Sequence, residues 1–166
     1  GTETIVQQVE AMKEMVNAFS EYARAPRFEM AEVNLNQLVT ELTDLYRAQV
    51  SGRGVTLEVR LDPALAGVVA DRGRLRQLLH NLLTNSVEAL EGRRGGRISV
   101  VTRRARAGEV EVAELAVEDN GPGFQRELMG QVFDPYVTTK ARGTGLGLAI
   151  VRKIVEEHGG HVEADN

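Results

Sequence analysis

The chain contains no cysteine. That absence excludes a disulfide framework, a thiolate nucleophile and a thiolate-bound zinc, and it suits a reducing cytosol. Long apolar runs are also missing: none approaches the roughly 20 residues that cross a bilayer, so no membrane segment is expected, and no secretory leader is visible. A basic excess is missing as well. Lys and Arg number 20 against 24 Asp and Glu, and a net charge of -4 with a pI near 5.5 offers no surface that would track nucleic-acid phosphates. Direct nucleic-acid binding is therefore not expected. What the chain does have is enough apolar content for one core: 166 residues, 42% of them hydrophobic, fit one domain of ordinary size plus an appendage.

Ile5, Val9, Met12, Val16, Phe19 and Ala23 recur in a four-three alternation, which predicts a helix over residues 5–23 with a single apolar stripe. The stripe needs a partner, either its own domain or a helix of another chain. Pro26 stops this helix, and residues 25–33 read as a linker. Asn34 can cap a second helix to about Val50, with Leu35, Leu38, Leu42 and Leu45 on its buried face. Strands are predicted at 55–60 and 68–70. Asp71 then opens a helix to about Leu90, whose apolar face is Leu75, Leu78, Leu79, Leu82, Leu83 and Val87. Strands at 97–104 and 110–118 form an antiparallel hairpin through residues 105–108. A glycine-punctuated loop with a brief helix near 125–130 fills residues 120–143. The last helix, 146–158, is stopped by Gly159 and Gly160, and 161–164 reads as a terminal strand. Strands on one side and helices on the other predict a two-layer α/β sandwich.

Four short segments carry chemistry. Asn81 and Asn85 stand four apart on one helical face, with Gln77 and Glu88 extending the polar stripe. Amide oxygens there can ligate a hard cation such as magnesium, which keeps several waters and leans on nucleotide phosphates; a solvated helix face is the plain alternative. The second segment, Asp119-Asn120-Gly121-Pro122-Gly123, follows a strand on which Leu115, Val117 and Asp119 share a face. That pattern predicts a carboxylate on the buried side, needing a donor such as an adenine amine, although Asn-Gly and Pro-Gly are also ordinary turn formers. In the third, Phe133-Asp134-Pro135-Tyr136 reads as a pinned hinge before a lid on which Lys140 or Arg142 can reach phosphate. The fourth, Gly143-Thr144-Gly145-Leu146-Gly147, runs straight into a helix, so backbone amides and the helix terminus form an anion site. It is not a P-loop, because no Gly-Lys-Ser/Thr follows.

In order and spacing, these segments resemble the N, first glycine, F and second glycine boxes of the histidine kinase catalytic domain. The resemblance covers roughly residues 34–166 and implies the Bergerat ATP-binding fold shared with gyrase, the Hsp90 chaperones and MutL. Residues 1–25 are similar to the second helix of the dimerisation and phosphoacceptor hairpin of these kinases, with 26–33 as linker, and the wording Phe19-Ser20-Glu21-Tyr22-Ala23-Arg24 resembles the NtrY and NtrB type. By position, the resemblance implies that Asp119, with Gly121 and Gly123, holds adenine and that Asn81 and Asn85 hold magnesium and the phosphates. It implies further that Phe133 anchors the lid, that Lys140 meets phosphate, and that Gly143, Thr144, Gly145, Leu146 and Gly147 wrap the triphosphate. The implied reaction passes the γ-phosphoryl of ATP to a histidine outside the fragment. The implied partners are the kinase's own phosphoacceptor hairpin, in a homodimeric parent, and a cognate response regulator. The implied location is cytoplasmic, with any inner-membrane anchor elsewhere in the parent.

Two departures matter. Hydrolytic relatives place a glutamate four residues before the magnesium asparagine, and here that position is Asn81, an amide that cannot take a proton from water. Many kinases of the class carry a basic residue where Glu88 stands. His80, His158 and His161 are the only histidines, and none lies in a phosphoacceptor pattern; His80 reads as either a border of the nucleotide site or a helix-surface residue. Arg93, Arg94, Arg97, Arg103, Arg104 and Arg106 gather round one hairpin, as a charge-balanced surface or as a docking face. A non-catalytic nucleotide-sensing and dimerisation module, or a hydrolytic ATPase, are the competing readings.

Overall fold

A computed structural model describes residues 28–134 and 147–166; the helix expected over 5–23 lies outside the described residues. Two compact units divide the chain, Phe28–Gly123 and one that includes Phe124–Asn166. The first holds both sheets and the two longer helices.

Strand β1 is Met30–Val33, inside the stretch read from sequence as linker. It pairs antiparallel with β3, Val68–Asp71, in register Met30 to Asp71. Four residues with a single buried side chain carry too little periodicity to show as a strand, and the partner is far away in sequence. Helix α1, Leu35–Ser51, begins as expected: the Asn34 side chain accepts from the Gln37 N–H at 3.0 Å. Its buried stripe is Leu35, Leu38, Val39, Leu42, Tyr46 and Val50. Leu45 is not part of it and stands 57% exposed, because the face that meets the core runs through positions 42, 46 and 50 and Leu45 falls to one side of that line.

Strand β2 is Thr56–Arg60, and β4, Arg97–Ala107, runs parallel to it. β5, Val110–Asp119, folds back antiparallel on β4, so the three-stranded sheet has the order β2-β4-β5. The hairpin is longer than its hydrophobic alternation suggested. Pairing continues to Ala107 and Val110, leaving a two-residue turn in which Gly108 takes φ 64°, a left-handed value that such tight turns require. Helix α2, Arg72–Ala89, lies between β3 and β4 in sequence. One core cluster joins Val39, Leu42, Tyr46 and Val50 of α1, Leu79 and Leu83 of α2, and Leu57, Ile98 and Val100 of the sheet. Both helices thus cover the same sheet face, the two-layer α/β arrangement expected.

A polar lock closes the far side of this core. The Asn36 amide donates to the Asp62 carbonyl at 2.7 Å and accepts from the Thr102 hydroxyl at 2.7 Å, while Thr102 Oγ1 accepts from the Asp62 N–H at 3.0 Å. The Ala64 N–H and Arg104 beside it hold the Asp62 carboxyl below the usual range. Arg97 faces Glu58, Arg103 faces Glu114 and Arg104 faces Asp62, so much of the arginine cluster is the charge-balanced surface expected of it. Exposed pairs of this kind stabilise little.

In the second unit, a 3-10 helix, Arg126–Gln131, stands where the brief helix was predicted, and α3 is Gly147–Glu157 with Ala149, Ile150, Val151 and Ile154 buried. Gly159 (φ 73°) ends α3, and Gly160 N–H returns to the Val155 carbonyl at 2.9 Å. Residues 161–164 are not a strand. Val162 and Ala164 are half-buried and alternate with exposed His161 and Glu163, but among the described residues no ladder pairs with them, and alternation alone does not make a strand.

Asp71 does two jobs. It caps α2, accepting from the Arg74 N–H at 3.0 Å, and it ties the start of β1 by accepting from the Glu29 N–H at 2.9 Å. Burial raises its pKa, but the N–H groups of Glu29, Arg74 and Gly73 outweigh that, and the carboxyl ends below its ordinary value. Asp71→Ala is expected to lower unfolding stability by about 1–2 kcal/mol at neutral pH, read by urea denaturation. A depressed folded pKa gives stability that is present above the unfolded value near ~3.9 and lost as pH falls through the folded value. The gap between Asp71→Ala and wild type should therefore close on acidification below about pH 4.

Candidate functional site

The Asn81 and Asn85 side chains lie on successive turns of α2, both half-buried. Ala89, one turn beyond Asn85, ends the helix, and the loop after β5 is pressed against it. A Cβ placed on Gly121 would stand 3.1 Å from the Ala89 carbonyl oxygen and 3.3 Å from its Cβ. Gly121 is thus glycine because helix and loop backbone meet there, and the same contact holds the Asp119–Gly123 loop about 6 Å along the helix axis from Asn85. Gly123 has φ 75°, which only glycine adopts without strain.

Asp119 departs from expectation. It is exposed, not buried, and its carboxylate accepts from the Gly121 N–H at 2.8 Å. Leu115 and Val117 do pack on the core, as the alternation required, but Asp119 is the last residue of β5 and emerges at its rim. Asn120, read from sequence only as a turn former, is the residue that secures this rim. Its Oδ1 accepts from the Arg97 N–H at 2.7 Å, its amide donates to the Gly95 carbonyl at 3.0 Å, and its own carbonyl accepts from the Arg93 guanidinium at 2.5 Å. Four consecutive turn-type residues hid that role.

Tyr46 is a second residue that the sequence did not announce. From α1 its hydroxyl bonds His80 Nδ1 and, at 3.1 Å, Thr84 Oγ1 on α2, and its ring stands 5.8 Å from that of His80. Burial pushes the phenol pKa up, against the lowering effect of the Thr84 bond, so the hydroxyl keeps its proton. His80 is accordingly a helix-surface residue with a defined partner. Beside it, Leu42, Leu45, Gln49, Arg76 and Gln77 line an open groove of about 500 Å3. The signal available was a tyrosine within a leucine stripe, since a buried phenol needs a hydrogen-bond partner.

Within the second unit, Phe133 is half-buried and Asp134 meets Arg152 of α3 at 3.1 Å. Gly147 is the first residue of α3. Lys140, Gly143, Thr144, Gly145 and Leu146 lie outside the described residues. His158 Nδ1 bonds the Ile154 carbonyl at 2.7 Å at the end of α3, and His161 pairs with exposed Glu163. Among the described residues no group of three His, Asp or Glu side chains could cage a metal ion, and no helix is long and apolar enough to cross a membrane.

The family model for histidine kinase-, DNA gyrase B- and HSP90-like ATPases matches residues 70–166, and the chain belongs to this family. Within it, the chain resembles the catalytic domains of sensor histidine kinases. It is 36% identical to the sensor histidine kinase ZraS of Klebsiella oxytoca over 98% of its own length and 34% of that protein's. To the nitrogen regulation protein NtrY of Azorhizobium caulinodans it is 38% identical, over 99% of this chain and 21% of NtrY. The chain thus spans about a third or less of these relatives. Among solved structures, the catalytic domain of the histidine kinase ThkA matches with a TM-score of 0.73 and 34% identity, over 84% of this chain and 88% of that one. ThkA in complex with the response regulator TrrA also matches, at 29% identity, TM-score 0.74, 95% of this chain and 43% of that one. So does full-length ShkA in complex with AMPPNP, at 26% identity, TM-score 0.76, 94% of this chain and 33% of that one. The two-layer fold and the kinase resemblance read from sequence both hold.

Gly121→Ala is expected to destabilise the chain by about 1–3 kcal/mol, because neither the Ala89 backbone nor the loop can give way freely. Thermal unfolding reads this, and an unchanged melting temperature would refute the close approach.

Proposed function

We propose that this chain is the ATP-binding catalytic part of a two-component sensor histidine kinase, passing the γ-phosphoryl of ATP to a histidine that this chain does not contain. The observation that carries the reading is the Asn81–Asn85 pair held one helical turn from the Asp119–Gly123 loop by the Gly121–Ala89 contact. Amide oxygens beside a nucleotide phosphate suit magnesium, which favours oxygen donors and needs no protein cage. When bound, the metal neutralises charge on the β- and γ-phosphate oxygens. Asn81 and Asn85 supply the oxygens that would hold it. Asp119, exposed at the rim with one oxygen engaged by Gly121, accepts from the adenine amine. Lys140, with Gly143, Thr144, Gly145, Leu146 and Gly147, meets the phosphates, and Phe133 anchors the start of this lid.

The chemistry asks for no strong base in this site. A neutral imidazole already carries a lone pair: it forms the N–P bond as the bond between phosphorus and the β,γ-bridging oxygen breaks, ADP leaves with that electron pair, and the proton on the other ring nitrogen passes to solvent. The protein's share is alignment and charge neutralisation. An amide at position 81, where a water-activating carboxylate would otherwise stand, favours transfer over hydrolysis. Residues 1–25 act as part of the dimerisation and phosphoacceptor hairpin in a homodimeric, cytoplasmic kinase region, and a response regulator receives the phosphoryl group, as the ThkA–TrrA assembly suggests by analogy.

Calorimetric titration with ATP should show binding that tightens with magnesium, and Asn85→Ala should abolish the metal-dependent part while leaving the fold intact. Asp119→Ala should weaken adenine nucleotides much more than inorganic triphosphate. A purified phosphoacceptor hairpin incubated with the chain and ATP should gain acid-labile phosphate. Steady phosphate release without an acceptor would support a hydrolase instead, and ATP binding with no transfer would support a sensing module.

A further inference from the structure

The two residues of α2 that Tyr46 bonds, His80 and Thr84, each immediately precede one of the paired asparagines, Asn81 and Asn85. Tyr46 therefore spans the same two helical turns that carry the amides, and the amides stand about 100° further round the helix. We propose that Tyr46 is a positioning residue for the nucleotide site: its hydroxyl fixes the rotation of α2, and with it the aim of Asn81 and Asn85 at the metal and phosphates. This inference rests on the role given to those asparagines above.

Leucine packing alone does not set such an angle. The apolar face of α2, with Leu79 and Leu83, holds the helix against the sheet, but dispersion and hydrophobic contacts are non-directional and allow a small roll. A roll of about 10° moves an atom about 5.5 Å from the helix axis by about 1 Å. A displacement of that size at a reacting site costs as much as about 100-fold in rate. A hydrogen bond at each of two turns resists the roll, because distance and angle must both be kept. The hydroxyl can serve both at once: with Thr84 donating to the phenol oxygen, the phenol proton is available to His80 Nδ1. Tyr46 is only 8% exposed, so its ring is held by the core while the hydroxyl reaches His80 at the edge of the groove.

The test is Tyr46→Phe in the intact chain, which keeps the ring and removes only the hydroxyl. ATP affinity is measured by calorimetry in magnesium and in EDTA, together with the melting temperature. The expected result is a roughly tenfold loss of affinity in magnesium, little change in EDTA, and a melting temperature within a few degrees of wild type. Unchanged affinity in magnesium would overturn the proposal, and so would an equal loss in both buffers, which marks a merely structural role. Should the variant fail to fold, Thr84→Val removes one of the two bonds at nearly constant volume and carries the same readout. Asn85→Ala separates the two levels of inference. If wild type shows no magnesium-dependent affinity for Asn85→Ala to remove, the functional reading itself fails; if Asn85→Ala loses it and Tyr46→Phe does not, only the positioning role fails.

Discussion

The placement of α2 is the constraint on which the site depends, and it is held by small polar groups at its two ends as much as by leucines along its length. At the start, the Asp71 carboxylate caps the helix and reaches back to the Glu29 N–H, which ties the β1–β3 ribbon to the first turn. At the end, the missing side chain of Gly121 lets the β5 loop touch the Ala89 carbonyl. A helix free to slide by one residue would rise 1.5 Å and turn about 100°. Asn81 and Asn85 would then face a different neighbour altogether.

The donor set follows from the same geometry. In the proposed reading, amide oxygens suit a polyanionic substrate that brings its own metal-binding oxygens. The exposure of Asp119 belongs with this. A carboxylate buried with no donor would be costly in the free protein; at the rim, Asp119 is solvated and one of its oxygens accepts from the Gly121 N–H.

Much of the fold was legible. The cap at Asn34, the helix start at Asp71 and the β4–β5 alternation are local signals, set by a few neighbouring residues, and each element begins where they predicted. The misses share a cause. Met30–Val33 becomes a strand only through Val68–Asp71, Leu45 is exposed only because the core meets α1 through Tyr46 and Val50, and 161–164 lacks a ladder despite correct alternation. Each outcome depends on which distant segment arrives alongside.

For the proposed site, the sequence by itself determined the residue types and their spacing: oxygen-donor amides four apart, an acid after a strand, and a glycine where backbone comes close. Residue type and helical spacing are properties of the chain alone. Tertiary structure decided the rest, namely that Gly121 meets Ala89, that Asn120 clamps the Gly95–Arg97 turn, and that Tyr46 reaches His80 and Thr84. Contacts such as these are set by the packing of helices on a sheet. No local pattern encodes the distance between residues brought together from 23 or more positions apart.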